Sequence, residues 1–163
     1  MANEPHHEPA RPARGLAFED LQVGAQYETA TTQATERDII AFATQWDPQP
    51  FHTDPEAGAA SFLGSLCASG LHTIALAFRQ YFDLGILDGT ALAGLGLEQV
   101  RFMRPLKPGD TIRTRVRVKS LHETRAPDRG IVVLALATFN QDDVQILDMD
   151  LRIMVARRPV PSP

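Results

Sequence analysis

The stretch "SGLHTIALAFRQYFDL", residues 69–84, decides the reading of the fold. Leu71, Ile74, Ala75, Phe78, Tyr81 and Phe82 recur at helical spacing, and Ser69 stands where an N-cap accepts a backbone N–H. Leu76 and Ala77 make the opposite side apolar as well, which predicts a helix buried on most of its circumference. Between residues 70 and 82 the ionisable side chains are His72, Arg79 and Tyr81 alone.

Downstream of this helix, from about Leu95, the pattern changes to strands. "LGLEQVRFMRP" runs into the turn "LKPGD", with Pro and Gly where a turn needs them. In "TIRTRVRVK", residues 111–119, Ile112, Thr114, Val116 and Val118 alternate with Arg113, Arg115, Arg117 and Lys119, as in a strand with one wet face. "GIVVLALATFN" is apolar on both faces, "QDDVQ" supplies a hairpin turn, and "ILDMDLRIMVA" alternates again. A buried helix followed by antiparallel strands predicts an α+β domain whose sheet wraps the helix.

Upstream, "FEDLQVGAQYETAT" reads as an entry segment and a strand. Thr35 and Asp38 frame the start of a helix over "ERDIIAFATQW", in the manner of a capping box. That helix should stop at Asp47, because Pro48 disfavours helical geometry in the residue before it. "DPEAGAASFLG" predicts a short helical turn. Residues 1–14 and 157–163 are rich in Pro and charge and are expected to be disordered tails, leaving one domain over residues 15–156.

Composition narrows the function classes. The 163 residues suit a single domain with its own core, and the net charge of −4 with scattered Lys and Arg argues against a nucleic-acid partner. The single Cys67 excludes an internal disulfide and fits a reducing cytosol. No apolar run approaches the roughly 20 residues of a membrane span, and the expected location is cytoplasmic. No cluster has metal-ligand spacing, and His6 and His7 stand in a tail without further ligands.

The densest chemistry lies in "WDPQPFHTDPEA", residues 46–57. Asp47 and His52 are five residues apart, joined by a connection that Pro48 and Pro50 restrict. Such a carboxylate–imidazole pair suits general acid–base work, with Trp46 and Phe51 as an apolar wall. D-x-x-x-x-H is a common spacing, and a Pro-rich surface loop with a locally bonded Asp47 and an exposed His52 would carry it equally. Gly70 opens the long helix, where backbone N–H groups lack helical partners and a ligand can approach closely; tight helix packing would also demand a glycine there. Cys67 reads as a small buried residue and His72 as a satisfied histidine. Asp54 and Glu56 read as caps or loop solvators, and Ser61 and Ser65 as turn residues.

The segments "FATQWDPQPFH", "ASGLHTIALAF" and "VRFMRPLKPGDTI" follow one another as they do in the MaoC-like, R-specific enoyl-CoA hydratase family, which this chain resembles from roughly Phe18 to Val155. The resemblance implies a hot-dog fold, a curved antiparallel sheet wrapped around one long helix. The family motif reads approximately G-D-x-N-P-hydrophobic-H, and Asp47, Pro50, Phe51 and His52 match it. It implies hydration of a trans-2-enoyl-CoA by Asp47 and His52, with the Gly70 N–H as donor to the thioester carbonyl. Trp46 stands where the family usually has Gly, and Gln49 where it usually has Asn, so both are expected to shape substrate binding. Arg101, Arg104 and Lys107 flank the turn before a strand and are candidates to meet CoA phosphates. No metal or redox cofactor is implied. The expected assembly is a homodimer or larger homo-oligomer binding an acyl-CoA thioester, and a thioesterase or a non-catalytic acyl-CoA-binding subunit are the alternatives. The thioesterase version is weakened by the absence of Asp and Glu between residues 70 and 82.

Overall fold

A computed structural model describes residues 14–158 of the chain. After a single helical turn at Phe18–Asp20 come β1 (Gln26–Glu28) and β2 (Thr32–Gln33), then α1 (Glu36–Trp46), α2 (Pro50–Thr53), α3 (Pro55–Ala60) and the long α4 (Gly70–Leu84). Four long strands complete the domain: β3 (Ala91–Phe102), β4 (Thr111–Glu123), β5 (Arg129–Phe139) and β6 (Gln145–Ala156). They form one antiparallel sheet in the order β1-β4-β5-β6-β3, with β2 also paired to β4. The predicted α+β arrangement is the one observed. The described ends reach slightly past the predicted domain limits. Arg14 pairs with Asp88, and the Arg157 N–H donates to the Asp128 carbonyl. The remainder of the two predicted tails, with His6 and His7, lies outside the described residues.

Local signals explain the helix limits. Thr35 Oγ1 accepts the Asp38 N–H at 3.1 Å, and Asp47 is the C-cap that precedes Pro48. Ser69 Oγ accepts the Leu71 N–H at 3.2 Å, and α4 ends at Gly85 with φ +69°, the left-handed conformation that glycine adopts without strain. Asp54 caps α3 through the Glu56 N–H. The predicted loop between Asp47 and His52 instead contains a turn of helix, with Pro50 at its first position.

The alternation of β4 is as predicted: Ile112, Thr114, Val116 and Val118 are buried. Ile112, Val116 and Val118 meet Val132, Leu134 and Leu136 of β5 and Leu147, Met149 and Leu151 of β6 in one continuous core. Fully burying side chains of this size contributes roughly 1.5–3 kcal/mol each.

The long helix departs from expectation. Its buried side carries His72, Thr73, Ala77, Gln80 and Tyr81, whereas Leu71, Ala75, Phe78 and Phe82 are exposed. The polar side is tolerated inside because it is bonded. Gln80 Nε2 donates to the carbonyls of Ala30 and Ile112 and to Thr32 Oγ1, and Gln80 Oε1 accepts from Thr114 Oγ1. The apolar stripe lies open because nothing in the described chain covers it.

β3 shares that open side. It begins at Ala91 rather than near Leu95, pairs only with β6, and is exposed at every position except Val100, which is half-buried. Phe82 and Ala91 line one small hollow, while Gly70, Thr73 and Phe102 line another. The two ends of β3 therefore lie near opposite ends of α4. Leu92, Leu95, Leu97 and Phe102 are exposed apolar side chains of β3, as Leu71, Phe78 and Phe82 are of α4. Three register shifts and a positive φ of 54° at Gln99 break the regularity of this edge.

Candidate active site

The C-terminus of α1 delivers Asp47, and the helical turn of α2 delivers His52 from the other side of Pro48 and Pro50. Asp47 Oδ2 and His52 Nε2 come to 3.6 Å of each other. His52 is buried, and its Nδ1 lies 2.7 Å from the Cys67 carbonyl oxygen. A carbonyl accepts only, so Nδ1 carries the proton; in the neutral ring the Nε2 lone pair is then aimed toward Asp47. Phe51 packs against the His52 ring, centroids 4.4 Å apart and nearly edge-on, which further fixes its orientation.

Asp47 is held from three directions. Ser69 Oγ donates to Oδ2 at 2.6 Å, Gln49 Nε2 donates to Oδ1 at 2.9 Å, and His52 stands beside Oδ2. The Ser69 bond, then the Gln49 bond, hold the carboxyl below its ordinary value; partial burial opposes them, and the charge of His52 adds a smaller pull. Asp47 is therefore ionised at neutral pH.

Both groups face a cavity of about 390 Å³ lined also by Gln49, Leu63, Cys67, Gly70, Phe102 and Arg104. Gly70 is the first residue of α4, and its N–H has no acceptor among the described residues. A carboxylate, an imidazole and the residue that carries an unpartnered helix-terminal N–H thus line one hollow. Water can be deprotonated there and a developing oxyanion stabilised there.

Gln49, Gly70 and Arg104 thus join the predicted pair around the cavity, although Arg104 Nη1 also donates to its own neighbour's carbonyl at Met103. Trp46 does not line it and is 62% exposed, pointing away because it occupies the outer side of α1's last turn. Phe51 supports the imidazole rather than walling the cavity. Arg101 and Lys107 also lie off the lining; the Lys107 N–H is tied to Asp110 Oδ2 in the turn before β4.

Sequence reasoning assigned no site role to Ser69, Phe102 or the Cys67 carbonyl. Ser69 was legible as a cap, but its bond to Asp47 joins residues 22 apart. The Cys67 thiol is buried and burial pushes it above the ordinary thiol value, disfavouring the thiolate, so the helix terminus does not activate it. His72 stacks on Phe42 at 4.6 Å, outside the cavity, and its buried Nδ1 has no partner among the described residues, contrary to a satisfied histidine. Among the described residues no group of three or more His, Cys, Asp or Glu side chains is placed to hold a metal ion, and no helix is long and apolar enough to cross a membrane.

Comparison with known proteins agrees with this fold. The MaoC like domain model matches residues 19–137. A MaoC-like dehydratase from Rhodospirillum rubrum superposes with a TM-score of 0.83 at 36% identity, over 90% of this chain and 100% of that one. The unliganded R-hydratase PhaJ1 from Pseudomonas aeruginosa superposes with a TM-score of 0.71 at 28% identity, over 91% and 94%. The 3-hydroxyacyl-thioester dehydratase Z of Mycobacterium tuberculosis is 36% identical over 89 residues, 54% of this chain and 58% of that protein's length. With its curved sheet around α4 in the hot-dog arrangement and its match across the domain, the chain belongs to the MaoC-like dehydratase family.

Proposed function

We propose that the protein is a hydro-lyase that reversibly hydrates a trans-2-enoyl-CoA to the (R)-3-hydroxyacyl-CoA. The observation that carries this reading is the pairing of Asp47 Oδ2 with His52 Nε2 at 3.6 Å on a cavity that Gly70 also lines. One water between the pair donates one hydrogen to His52 Nε2 and the other to ionised Asp47. Its oxygen then bonds to C3 while the C2–C3 π pair shifts to C1–C2 and the carbonyl π pair moves onto the thioester oxygen. The Gly70 N–H at the start of α4 stabilises that enolate. The proton lost by water returns to C2 through the pair, with His52 as its first acceptor and Asp47 handling the transfer to C2. The enzyme ends as it began. The thioester itself makes C3 electrophilic, so this scheme uses no metal or redox cofactor.

Arg104 at the cavity rim, with Arg101 and Lys107 nearby in sequence, supplies positive charge for CoA phosphates in this reading. The R hand is supported by the likeness to the P. aeruginosa R-hydratase. The open face of β3 and α4 supports a homodimer in which two β3 edges pair and the apolar stripes cover each other.

The test is a panel of trans-2-enoyl-CoAs, followed by loss of the conjugated enoyl absorbance alongside release of free thiol. Hydration that falls by several orders of magnitude in Asp47→Asn and in His52→Gln is expected. Hydration surviving both changes overturns the reading, thiol release without hydration replaces it by a thioesterase, and tight binding with neither reaction replaces it by a binding subunit.

A further inference from the structure

We propose that Ser69 is a positioning residue that couples the start of α4 to the acid–base pair, fixing the orientation of the Asp47 carboxylate and holding it as a base. The inference rests on the hydratase reading for its catalytic consequence, though not for its geometry.

Ser69 is 1% exposed and makes two bonds through a single oxygen. Its Oγ accepts the Leu71 N–H at 3.2 Å, and the same hydroxyl lies 2.6 Å from Asp47 Oδ2. The carboxylate accepts, so the serine proton is committed to Asp47, and the chain Leu71 N–H to Ser69 O–H to Asp47 has a fixed direction. Gln49 holds the other carboxylate oxygen. The two bonds leave Asp47 little freedom to rotate, with Oδ2 kept beside His52 Nε2.

The coupling has a geometric consequence. Ser69 immediately precedes Gly70, which lines the same cavity and whose N–H has no acceptor among the described residues. One residue therefore links Asp47, which handles the proton at C2, to the oxyanion donor, which serves the oxygen on the neighbouring C1. A substrate bound between them meets a preset spacing. The Ser69 bond is also the largest of the causes that hold the Asp47 carboxyl below its ordinary value, consistent with this arrangement.

The experiment combines a carboxyl-carbon NMR titration of Asp47, assigned by its loss in Asp47→Asn, with pH profiles of kcat/KM on a trans-2-enoyl-CoA. Wild type is compared with Ser69→Ala, Ser69→Gly and Ser69→Thr. Glycine keeps most of the capping preference without the hydroxyl, and threonine keeps the hydroxyl. Thr35→Ala, which removes the α1 cap away from the site, measures what loss of a cap alone does.

We expect the Asp47 midpoint to move to higher pH in Ser69→Ala and Ser69→Gly and to return in Ser69→Thr. The acid limb of kcat/KM should move with it, and kcat should fall about 10- to 100-fold, the range a hydrogen bond to a charged group supports. Loss of thermal stability matching Thr35→Ala, with neither the midpoint nor the limb displaced, overturns the proposal and leaves Ser69 as a helix cap. A displaced midpoint in a protein that hydrates nothing upholds the coupling and removes the hydratase reading instead.

Discussion

Phe102 lies across Gly70: a Cβ built on residue 70 would sit 2.6 Å from the Cζ of that ring. Phe102 is itself 56% exposed, so its ring can yield where a backbone neighbour could not. The glycine thus meets two demands at once, a close aromatic neighbour and open access to an unpartnered N–H.

Gly70→Ala separates these demands. Overpacking costs roughly 1–3 kcal/mol, offset by about 1 kcal/mol of helix propensity, so a small fall in Tm is expected. A methyl group beside the N–H would displace a thioester by on the order of 1 Å, with a loss of about 100-fold in kcat/KM. Adding Phe102→Ala should remove the steric conflict without restoring the rate. Recovery of the rate in the double variant would show that Gly70 serves packing alone.

Gln80 stands inside α4 with all its polar atoms engaged by Ala30, Thr32, Ile112 and Thr114. Gln80→Leu keeps the volume and strands those partners. The expected cost is about 2–3 kcal/mol, read as a lower urea midpoint with an unchanged slope. A neutral result would mean that the partners find other bonds.

That glutamine also marks where the sequence was legible and where it was not. Local signals were readable because local chemistry produces them: the Thr35 and Ser69 caps, the stop before Pro48 and the alternation of β4. Asp47 and His52 were singled out by residue type, by the prolines between them and above all by a family resemblance. The orientation of α4 was hidden because apolar periodicity reports a face that is covered somewhere, not which molecule covers it. Leu71, Phe78 and Phe82 satisfy the pattern for a core yet lie open on the described chain. The bond from Ser69 to Asp47 was unreadable for a different reason, since a serine cap looks the same whether its hydroxyl proton faces solvent or a carboxylate.

His72 gives a pH dependence of stability. Burial lowers its ionisation below the ordinary histidine value, and Asp38 opposes that only in part. The unfolded chain therefore takes up a proton before the folded one does. The stability contributed by the neutral ring is complete above about pH 6.5 and is lost as pH falls through the folded value. His72→Phe retains an aromatic ring against Phe42 and removes the titration. Urea midpoints measured at pH 7.5 and pH 5 should converge in this variant relative to wild type. An equal drop in both proteins would assign the acid sensitivity to other groups.

The open face makes the final prediction. Leu95 on the β3 edge and Phe78 on α4 are exposed apolar side chains. If two copies pair there, sedimentation at micromolar concentration should give twice the chain mass. Leu95→Glu together with Phe78→Glu would then place four like charges in the interface. Burying an unpaired charge is strongly unfavourable, so the variant should sediment as a monomer. Far-UV circular dichroism should stay close to wild type, because neither residue packs in the core of its own chain. The cavity lies where α4 begins and β3 ends, beside this face, so hydration should fall with the loss of the dimer. A wild-type monomer at micromolar concentration would show that the apolar face has some other occupant.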